Sequence, residues 1–131
     1  MENFISIYKD GKFYLLDANN EFISNEGFKQ AYVCQDGLWR VKKSNDLWYY
    51  IKSDGTFLNE EGFKIACEFN DGFGLIQKND NLWYFIKPDG TFLNNIGFAD
   101  AASFSGKYGR VFMPDNCWHY IDNDGNVCAN G

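Results

Sequence analysis

Three residues near the end of the chain are of the types that bind transition metals. Cys117, His119 and Cys128 could supply sulfur and nitrogen ligands to zinc, and His119 is the single histidine of the sequence. A structural zinc site needs four ligands at a standard spacing, and these three residues lack both the number and the spacing. Related segments of the chain place tyrosine where His119 stands and leucine where the two cysteines stand. The sequence therefore favours a packing role for all three residues and predicts no metal and no other cofactor.

The segment DNDGN at residues 122–126 has the oxygen-rich composition of a calcium-binding loop. An EF-hand loop needs glycine at its sixth position, whereas Gly125 is fourth here, and a hairpin turn is predicted instead. The carboxylates of Glu60 and Glu61 fall in a loop and differ between related segments, so they do not suggest an acid–base pair. The motifs of phosphate-binding loops, serine hydrolases and zinc peptidases are absent from the sequence. No catalytic residue is predicted, and an enzyme is not expected.

Internal repetition sets the organisation of the chain. The stretch LWYFIKPDGTFLNNIGF at residues 82–98 recurs at 47–63 as LWYYIKSDGTFLNEEGF. Four aromatic residues follow one another at intervals of 35 residues: Phe13, Trp48, Trp83 and Trp118. A fixed period is typical of repeat architectures, in which one unit cannot bury its apolar face alone. We therefore predict a single repeat domain over residues 1–131, with full repeats at 12–46, 47–81 and 82–116 and partial repeats at 1–11 and 117–131.

The composition favours strands and limits the classes of partner. Of the 131 residues, 45% are hydrophobic and 19% are aromatic, and aromatic residues suit pleated surfaces. The net charge of −6 provides no basic stripe, so neither nucleic acid nor an anionic membrane is an expected partner. The sequence shows no secretory signal and no apolar run long enough for a membrane span. The four cysteines are interpreted as reduced thiols, and a cytoplasmic location is expected, with the cell surface or secretion as the alternative.

Alternation of apolar and polar residues predicts short antiparallel strands joined by tight turns. Residues 3–9 are predicted to form a strand that ends at Asp10-Gly11, a dipeptide that suits a two-residue hairpin turn. Residues 13–17 are the returning strand, and residues 21–24 form a third, short strand. Further strands are predicted at residues 38–42, 73–78 and 108–113, each of which runs through a polar turn into the next strand that begins with tryptophan.

The motif G-F-x-x-A follows at residues 27–31, 62–66 and 97–101 with the same period. Its Phe and Ala stand three residues apart, which suits one face of a helix, but an irregular loop that pins the chain to the core is also compatible. Both interpretations stay open. One repeat is therefore predicted to contain three short strands and one compact connection.

The predicted fold class is all-β, with tandem repeats of about 35 residues that form either a β-hairpin stack or a small propeller-like ring. The strand WYYI at residues 48–51 is apolar on both faces and needs cover on both sides. We therefore expect adjacent repeats to share a core in which the recurring Phe and Trp rings are the largest stabilising component. In the ring, residues 1–11 and 117–131 would form a fourth unit together by strand exchange, whereas in the stack they would not.

The periodic set of residues resembles the bacterial WG repeat family. The second and third copies share its columns, which in the third copy are Trp83, Ile86, Asp89, Gly90, Gly97, Phe98, Ala101, Phe104, Gly106 and Val111. The glycine that the family places after tryptophan is replaced here by Tyr49, Tyr84 or His119. The resemblance implies an all-β repeat module that has no known chemistry of its own and is often linked to interaction roles.

The hairpin WYYIKSDGT at residues 48–56 is also similar to the hairpins of choline-binding and glucan-binding cell-wall repeats. Those repeats place aromatic residues from adjacent hairpins around a choline or a sugar. This similarity implies a glycan- or choline-binding module as the alternative function.

Residues that differ between the copies are the candidates for binding. Trp39 stands where the later copies have glycine, and its neighbour Arg40 corresponds to Leu75 and Arg110. Exposed aromatic residues beside arginine are typical of protein-binding hot spots, although Trp39 could instead fill space in the core. The candidate partner-binding residues are Trp39, Arg40, Arg110 and Tyr108. The predicted function is a non-catalytic interaction module with a protein partner.

Overall fold

The computed structural model describes residues 5–34 and 37–128, and within these ranges the chain is all-β. The predicted fold class of short antiparallel strands is confirmed. Eleven strands are found in the described ranges: β1 (Ile5–Lys9), β2 (Lys12–Leu16), β3 (Gln30–Val33), β4 (Trp39–Lys42), β5 (Trp48–Ile51), β6 (Ile65–Ala66), β7 (Gly74–Gln77), β8 (Trp83–Ile86), β9 (Asp100–Ser105), β10 (Tyr108–Phe112) and β11 (Trp118–Asp122).

The strands form four small antiparallel sheets. The first sheet pairs β1 with β2, and the second, third and fourth have the orders β3-β4-β5, β6-β7-β8 and β11-β10-β9. The chain divides into two compact units, residues 1–62 and residues 63–131, so each unit contains two sheets. Each three-stranded sheet crosses a predicted repeat boundary, because the boundary at residues 46 and 47 falls between β4 and β5.

Short turns hold the hairpins, and aspartate and asparagine shape them. Asp10 and Gly11 both have positive φ, 54° and 83°, and join the paired residues Lys9 and Lys12, as predicted for a two-residue turn. Later hairpins use a longer turn, in which the backbone N–H of Asp46 donates to the carbonyl of Lys43 at 2.9 Å. The residue that ends this turn has a positive φ in each copy and is Asp46, Asn81 or Asn116. These residue types tolerate the left-handed region better than most, which explains their placement.

Five turn aspartates make the stability of the fold sensitive to acid. The Thr56 hydroxyl and backbone N–H hydrogen-bond to Asp54 and hold its pKa below the ordinary 3.8, and Thr91 does the same for Asp89. The pKa values of Asp46, Asp80 and Asp115 are lowered chiefly by hydrogen bonds with Lys29, with the backbone N–H of Leu82 and with His119, respectively. A carboxylate with a lowered pKa stabilises the fold at neutral pH and loses that effect as the pH falls below 3.8 through the lowered value. We expect the melting temperature, followed by circular dichroism, to fall below this pH. An Asp89→Asn variant keeps an acceptor oxygen in the turn and should show a flatter profile, and a constant melting temperature down to about pH 2 would contradict the expectation.

The third strand predicted at residues 21–24 is wrong. Only a single bridge forms there, between Leu16 and Phe22, and the same single bridge recurs at Phe57, Phe92 and Val127. The chain leaves the sheet after this bridge because a polar side chain turns it. In the second copy, for example, the Asn59 side-chain oxygen accepts the backbone N–H of Glu61 at 2.7 Å. A side-chain bond of this kind replaces the next rung of the ladder.

The third strand of each later sheet comes instead from the G-F-x-x-A motif. Its phenylalanine forms a bridge to the aromatic strand, as in the pairs Phe13–Phe28 and Trp83–Phe98. Its alanine lies in a strand, β3, β6 or β9, that pairs with the following strand. The motif is therefore extended chain, and neither the helix nor the irregular loop considered from the sequence describes it.

The glycine of this motif is required by a close approach of a tyrosine ring. A Cβ atom on Gly62 would lie 2.5 Å from Tyr49 Oη, and one on Gly97 would lie 2.6 Å from Tyr84 Oη. Such distances are shorter than van der Waals contact, so a larger residue would displace the ring. The motif and the aromatic strand are thus matched to each other within each copy.

Each sheet has an inner face and an outer face, which we define by one column of residues. The inner face carries Val41, Ile76 or Val111, and in the first sheet it carries Ile7, which pairs with Tyr14 as Val41 pairs with Tyr49. The opposite, outer face carries the columns of Arg40 and Tyr50, which continue in the third sheet as Leu75 and Phe85 and in the fourth as Arg110 and Tyr120.

Within each unit, the outer face of one sheet packs on the inner face of the next. In residues 1–62, Leu15 on the outer face of the first sheet joins a cluster with Trp39, Val41 and Ile51 on the inner face of the second. In residues 63–131, the outer-face residues Leu75 and Phe85 of the third sheet join a cluster with inner-face residues of the fourth, Val111 and Ile121. The shared core expected between adjacent repeats is therefore present in each unit.

The aromatic column at the 35-residue period is not the centre of this core, which corrects the prediction. Phe13, Trp48 and Trp83 are only partly buried, and Trp118 is 37% exposed. The most buried aromatic column is that of the G-F-x-x-A motif, where Phe28, Phe63 and Phe98 are 1%, 0% and 2% exposed. The tryptophans lie on outer faces, where Trp48 stacks on the Tyr32 ring at a centroid distance of 5.9 Å.

The two ends of the chain belong to different sheets. β1 pairs with β2 alone, and β11 completes the sheet of β9 and β10. β1 and β11 each pair with the strand next to them in the sequence. The fourth unit formed by strand exchange, one of the two arrangements considered from the sequence, stays a prediction.

Candidate binding face

The outer face of the fourth sheet brings together two of the four predicted site residues. Arg110 is paired with Tyr120 and Phe112 with Trp118, and alternate residues of a strand share a face, so Tyr108 and Arg110 lie on the same side as both aromatic residues of β11. Tyr108 is 47% exposed, Trp118 37% and Tyr120 42%. We call the set of Tyr108, Arg110, Trp118 and Tyr120 the end face.

The side chains of the end face contact one another in two pairs. The guanidinium carbon of Arg110 lies 5.3 Å from the centroid of the Trp118 ring, which is a cation–π distance. The rings of Tyr108 and Tyr120 have centroids 5.6 Å apart and are tilted by 54°. Contacts of this kind hold large, amphipathic side chains in place at the surface and reduce the entropy lost on binding.

A groove of about 680 Å³ runs beside these residues. Its lining residues are Ser103, Ser105, Tyr108, Arg110, Tyr120 and Cys128. The lining combines aromatic rings with hydroxyl groups and one guanidinium, which can donate up to five hydrogen bonds. The groove could therefore receive an apolar side chain and a hydrogen-bond acceptor at the same time.

The third sheet shows what the same columns look like when they are covered. Leu75 corresponds to Arg110 and Phe85 to Tyr120, and they are only 5% and 3% exposed because the fourth sheet packs on them. The Phe85 ring meets the Phe104 ring edge-to-face at 5.1 Å. The end face is thus the counterpart of a buried surface.

Trp39 is not part of an exposed site, which corrects the expectation for this residue. It is only 9% exposed and belongs to the core cluster of residues 1–62. The physical reason is that two positions share one space in the core, and a large side chain at one of them goes with a small residue at the other. In the later copies the partners of the glycines are Phe69 and Phe104, which lie 2.8 Å from the Cβ positions of Gly74 and Gly109.

The first full repeat, residues 12–46, reverses this arrangement of large and small residues. At the 35-residue period Cys34 corresponds to Phe69 and Trp39 corresponds to Gly74. The small side chain is therefore at position 34 and the large one at position 39, the opposite of Phe69 and Gly74. The residues in the columns of Cys34 and Trp39 change together between copies. This paired change was the signal in the sequence that Trp39 fills a core position.

Arg40 lies on the outer face of the second sheet, in the other unit. Its guanidinium carbon is 5.6 Å from the centroid of the Tyr32 ring and 6.0 Å from that of Trp48. Arg40 and Arg110 therefore make the same kind of contact with the tryptophan of their own sheet. Their role in binding a partner stays a prediction, as does that of Tyr108.

The sequence did not identify Trp118 and Tyr120 as candidate binding residues. Both lie in repeat columns whose other members are partly or fully covered, such as Trp83 and Phe85. The repeat columns alone do not show that these two residues are exposed in the fourth sheet.

Two lysines occupy the aromatic pairs that a cationic ligand would need. The ammonium of Lys43 lies 4.5 Å from the Tyr49 ring centroid and 4.3 Å from that of Phe57. In the next copy, Lys78 lies 4.6 Å from the Tyr84 centroid and 4.2 Å from that of Phe92. The chain thus fills these cation–π sites with its own side chains.

The histidine makes the contacts that a tyrosine makes in another copy. His119 Nε2 lies 2.8 Å from Asp115 Oδ2, and Nδ1 lies 3.0 Å from the carbonyl oxygen of Cys128. In the preceding copy the Tyr84 hydroxyl donates to Asp80 Oδ2 at 2.8 Å. Within residues 5–34 and 37–128, no group of three or more His, Cys, Asp or Glu side chains is arranged to hold a metal ion.

The same described ranges contain no helix with the length and apolar character needed to cross a membrane.

Comparison with protein families gives a local match. A model described as a putative cell wall binding repeat matches residues 42–57 and 115–127, which include β5 and β11. The predicted similarity of residues 48–56 to cell-wall repeats is therefore confirmed, the match at residues 115–127 was not predicted, and the resemblance to WG repeats stays a prediction. No curated protein gives a significant match to the chain.

A search of solved structures finds similarity to the WD40 beta propeller domain of Doa1. The two chains are 12% identical with a TM-score of 0.43, and the match covers 98% of this chain and 50% of that one. The chain thus spans half the length of the propeller structure to which it is similar.

Proposed function

We propose that this chain is a non-catalytic module that binds a protein partner through the end face. The observation that carries the proposal is the contrast between sheets: columns that are buried in the third sheet are open in the fourth, and there they hold three exposed aromatic rings around one arginine. Trp, Tyr and Arg are the residues that most often dominate protein–protein binding energy. A cytoplasmic location goes with this proposal.

Choline is disfavoured as the ligand by the charges already in place. A quaternary ammonium group binds on the faces of aromatic rings, and Lys43 and Lys78 occupy those faces in two copies. At the end face, the guanidinium of Arg110 lies over the Trp118 ring and would repel a second cation.

A glycan is the second candidate ligand, and one observation favours it. The stretch at residues 115–127 that matches the putative cell wall binding repeat contains Trp118 and Tyr120 of the end face. Sugars stack on such rings, and Ser103 and Ser105 add hydroxyl groups in the groove. This alternative places the protein at the cell surface.

A site-specific photo-crosslinker at position 120 tests the proposal. With benzoylphenylalanine in place of Tyr120, we expect a discrete adduct with one protein in extracts of the source cells, and we expect Arg110→Glu to abolish it. Ile65, which is also exposed in residues 63–131 but lies outside the end face, is the control position and should give no such adduct.

Added ligands separate the alternatives in the same experiment. Choline and wall polysaccharide should leave the protein adduct and the tryptophan fluorescence unchanged. An adduct with saccharide, or loss of the protein adduct on addition of polysaccharide, would replace the proposal by glycan binding. An adduct pattern identical at positions 120 and 65 would overturn both.

A further inference from the structure

The internal packing of the units defines which kind of surface covers an outer face. In residues 1–62 the outer face of the first sheet meets the inner face of the second, and in residues 63–131 the outer face of the third meets the inner face of the fourth. The same order of faces is thus found twice in one chain. An exposed outer face, such as the end face, is therefore complementary in kind to an exposed inner face.

The first sheet presents such an inner face. Ile5 is 53% exposed, and Ile7, Tyr14 and Leu16 on the same face are only partly buried. In the second, third and fourth sheets, by contrast, the column of Ile7 is fully buried, with Val41, Ile76 and Val111 each 0% exposed. The first sheet therefore leaves open an aliphatic surface of the type that is buried in the other three sheets.

We propose that the partner of the end face is a second copy of this chain, which docks the inner face of its first sheet there. The inference rests on the proposed function, because it uses the same face and names its partner. The two surfaces differ, so the contact is heterologous and leaves one free face at each end of a dimer. Such contacts continue head-to-tail into longer assemblies unless the rotation closes them into a ring.

An arginine in the end face is compatible with a buried aromatic residue beside it. Arg40 holds the same column in the second sheet, and Tyr50, the counterpart of Tyr120, is almost completely buried beside it. The aliphatic stem of arginine packs on apolar surface while the guanidinium remains on an aromatic ring, as Arg110 does on Trp118.

Two complementary variants test the head-to-tail contact. Ile5→Asp blocks the inner face of the first sheet and Tyr120→Asp blocks the end face, and both side chains are exposed, so neither change disturbs the core. By light scattering after size exclusion, we expect the apparent mass of the wild-type chain to increase at least twofold with concentration. Each variant alone should stay monomeric, and an equimolar mixture should form 1:1 dimers and nothing larger.

Matched controls make the outcome decisive. Ile65→Asp changes an exposed isoleucine outside both faces and should assemble as the wild-type chain does. Thermal melts of all variants confirm that they fold. A wild-type chain that is monomeric at all concentrations, or a mixture of the two variants that does not dimerise, overturns the inference. In that case a protein adduct at position 120 with a different protein would leave the proposed function standing.

Discussion

Replacement of Trp39 by glycine is expected to lower the free energy of unfolding by about 3–5 kcal/mol. Trp39 is buried in the cluster of Leu15, Phe28, Val41 and Ile51, so its removal leaves a large cavity. Glycine is the native residue at the corresponding positions of the later copies, so the strand accepts it there, and most of the loss comes from the missing volume, with about 1 kcal/mol from the added backbone entropy of glycine. Urea denaturation followed by circular dichroism measures the change.

A second substitution should recover much of this loss. Phe69 fills the space over Gly74 in the third sheet, and Cys34 occupies the column of Phe69, so Cys34→Phe in the Trp39→Gly background should refill the cavity. In the wild-type background the same Cys34→Phe change should destabilise by about 1–3 kcal/mol through overpacking. The two changes should therefore couple strongly in a double-mutant cycle. Strictly additive effects would show that the two columns do not share one space.

Replacement of Phe98 by alanine is the second change with a large expected effect, also about 3–5 kcal/mol. Phe98 is 2% exposed in the core of residues 63–131, and its backbone exchanges two hydrogen bonds with Trp83, at 2.8 and 3.0 Å. The alanine variant keeps the backbone bonds and removes only the ring. The loss therefore measures the packing of the ring, again by urea denaturation.

The matched comparison for Phe98 is Trp118→Ala. Tryptophan is the larger side chain and belongs to the column with the most conspicuous period in the sequence, but Trp118 is 37% exposed. Its removal should cost about 1 kcal/mol, as is common for substitutions outside the core. A larger loss at Trp118 than at Phe98 would restore the original view that the tryptophan column is the main source of stability.

Local signals predicted most of the strands. The hairpin at Asp10-Gly11, the strands that begin at Trp48, Trp83 and Trp118, and the strands before them depend on alternation and turn residues, which act over a few positions. The strand in the G-F-x-x-A motif was missed because its phenylalanine and alanine are also compatible with a helix, and pairing with β4, β7 or β10 decides the matter. Long-range pairing of this kind is not encoded in a five-residue window.

The site could be predicted only in part for a related reason. A sequence period shows that Arg40, Leu75 and Arg110 share a column, but it does not show which copy is covered by a following sheet. Exposure of Tyr108, Trp118 and Tyr120 depends on that neighbour. The choice for Trp39 between an exposed site and the core stayed open because its environment depends on Cys34, a residue whose small size carries no signal unless the two columns are compared as a pair.

The offset between sequence repeat and sheet affects how such a chain can change in length. Because the boundary at residues 46 and 47 lies between β4 and β5, each repeat gives its first strand to the sheet begun by the repeat before it. Gene duplication or excision in whole 35-residue steps therefore leaves every sheet with the strand that it receives from the following repeat. A deletion of any odd number of residues within a strand would turn its apolar side chains to the opposite face and break the ladder at that joint.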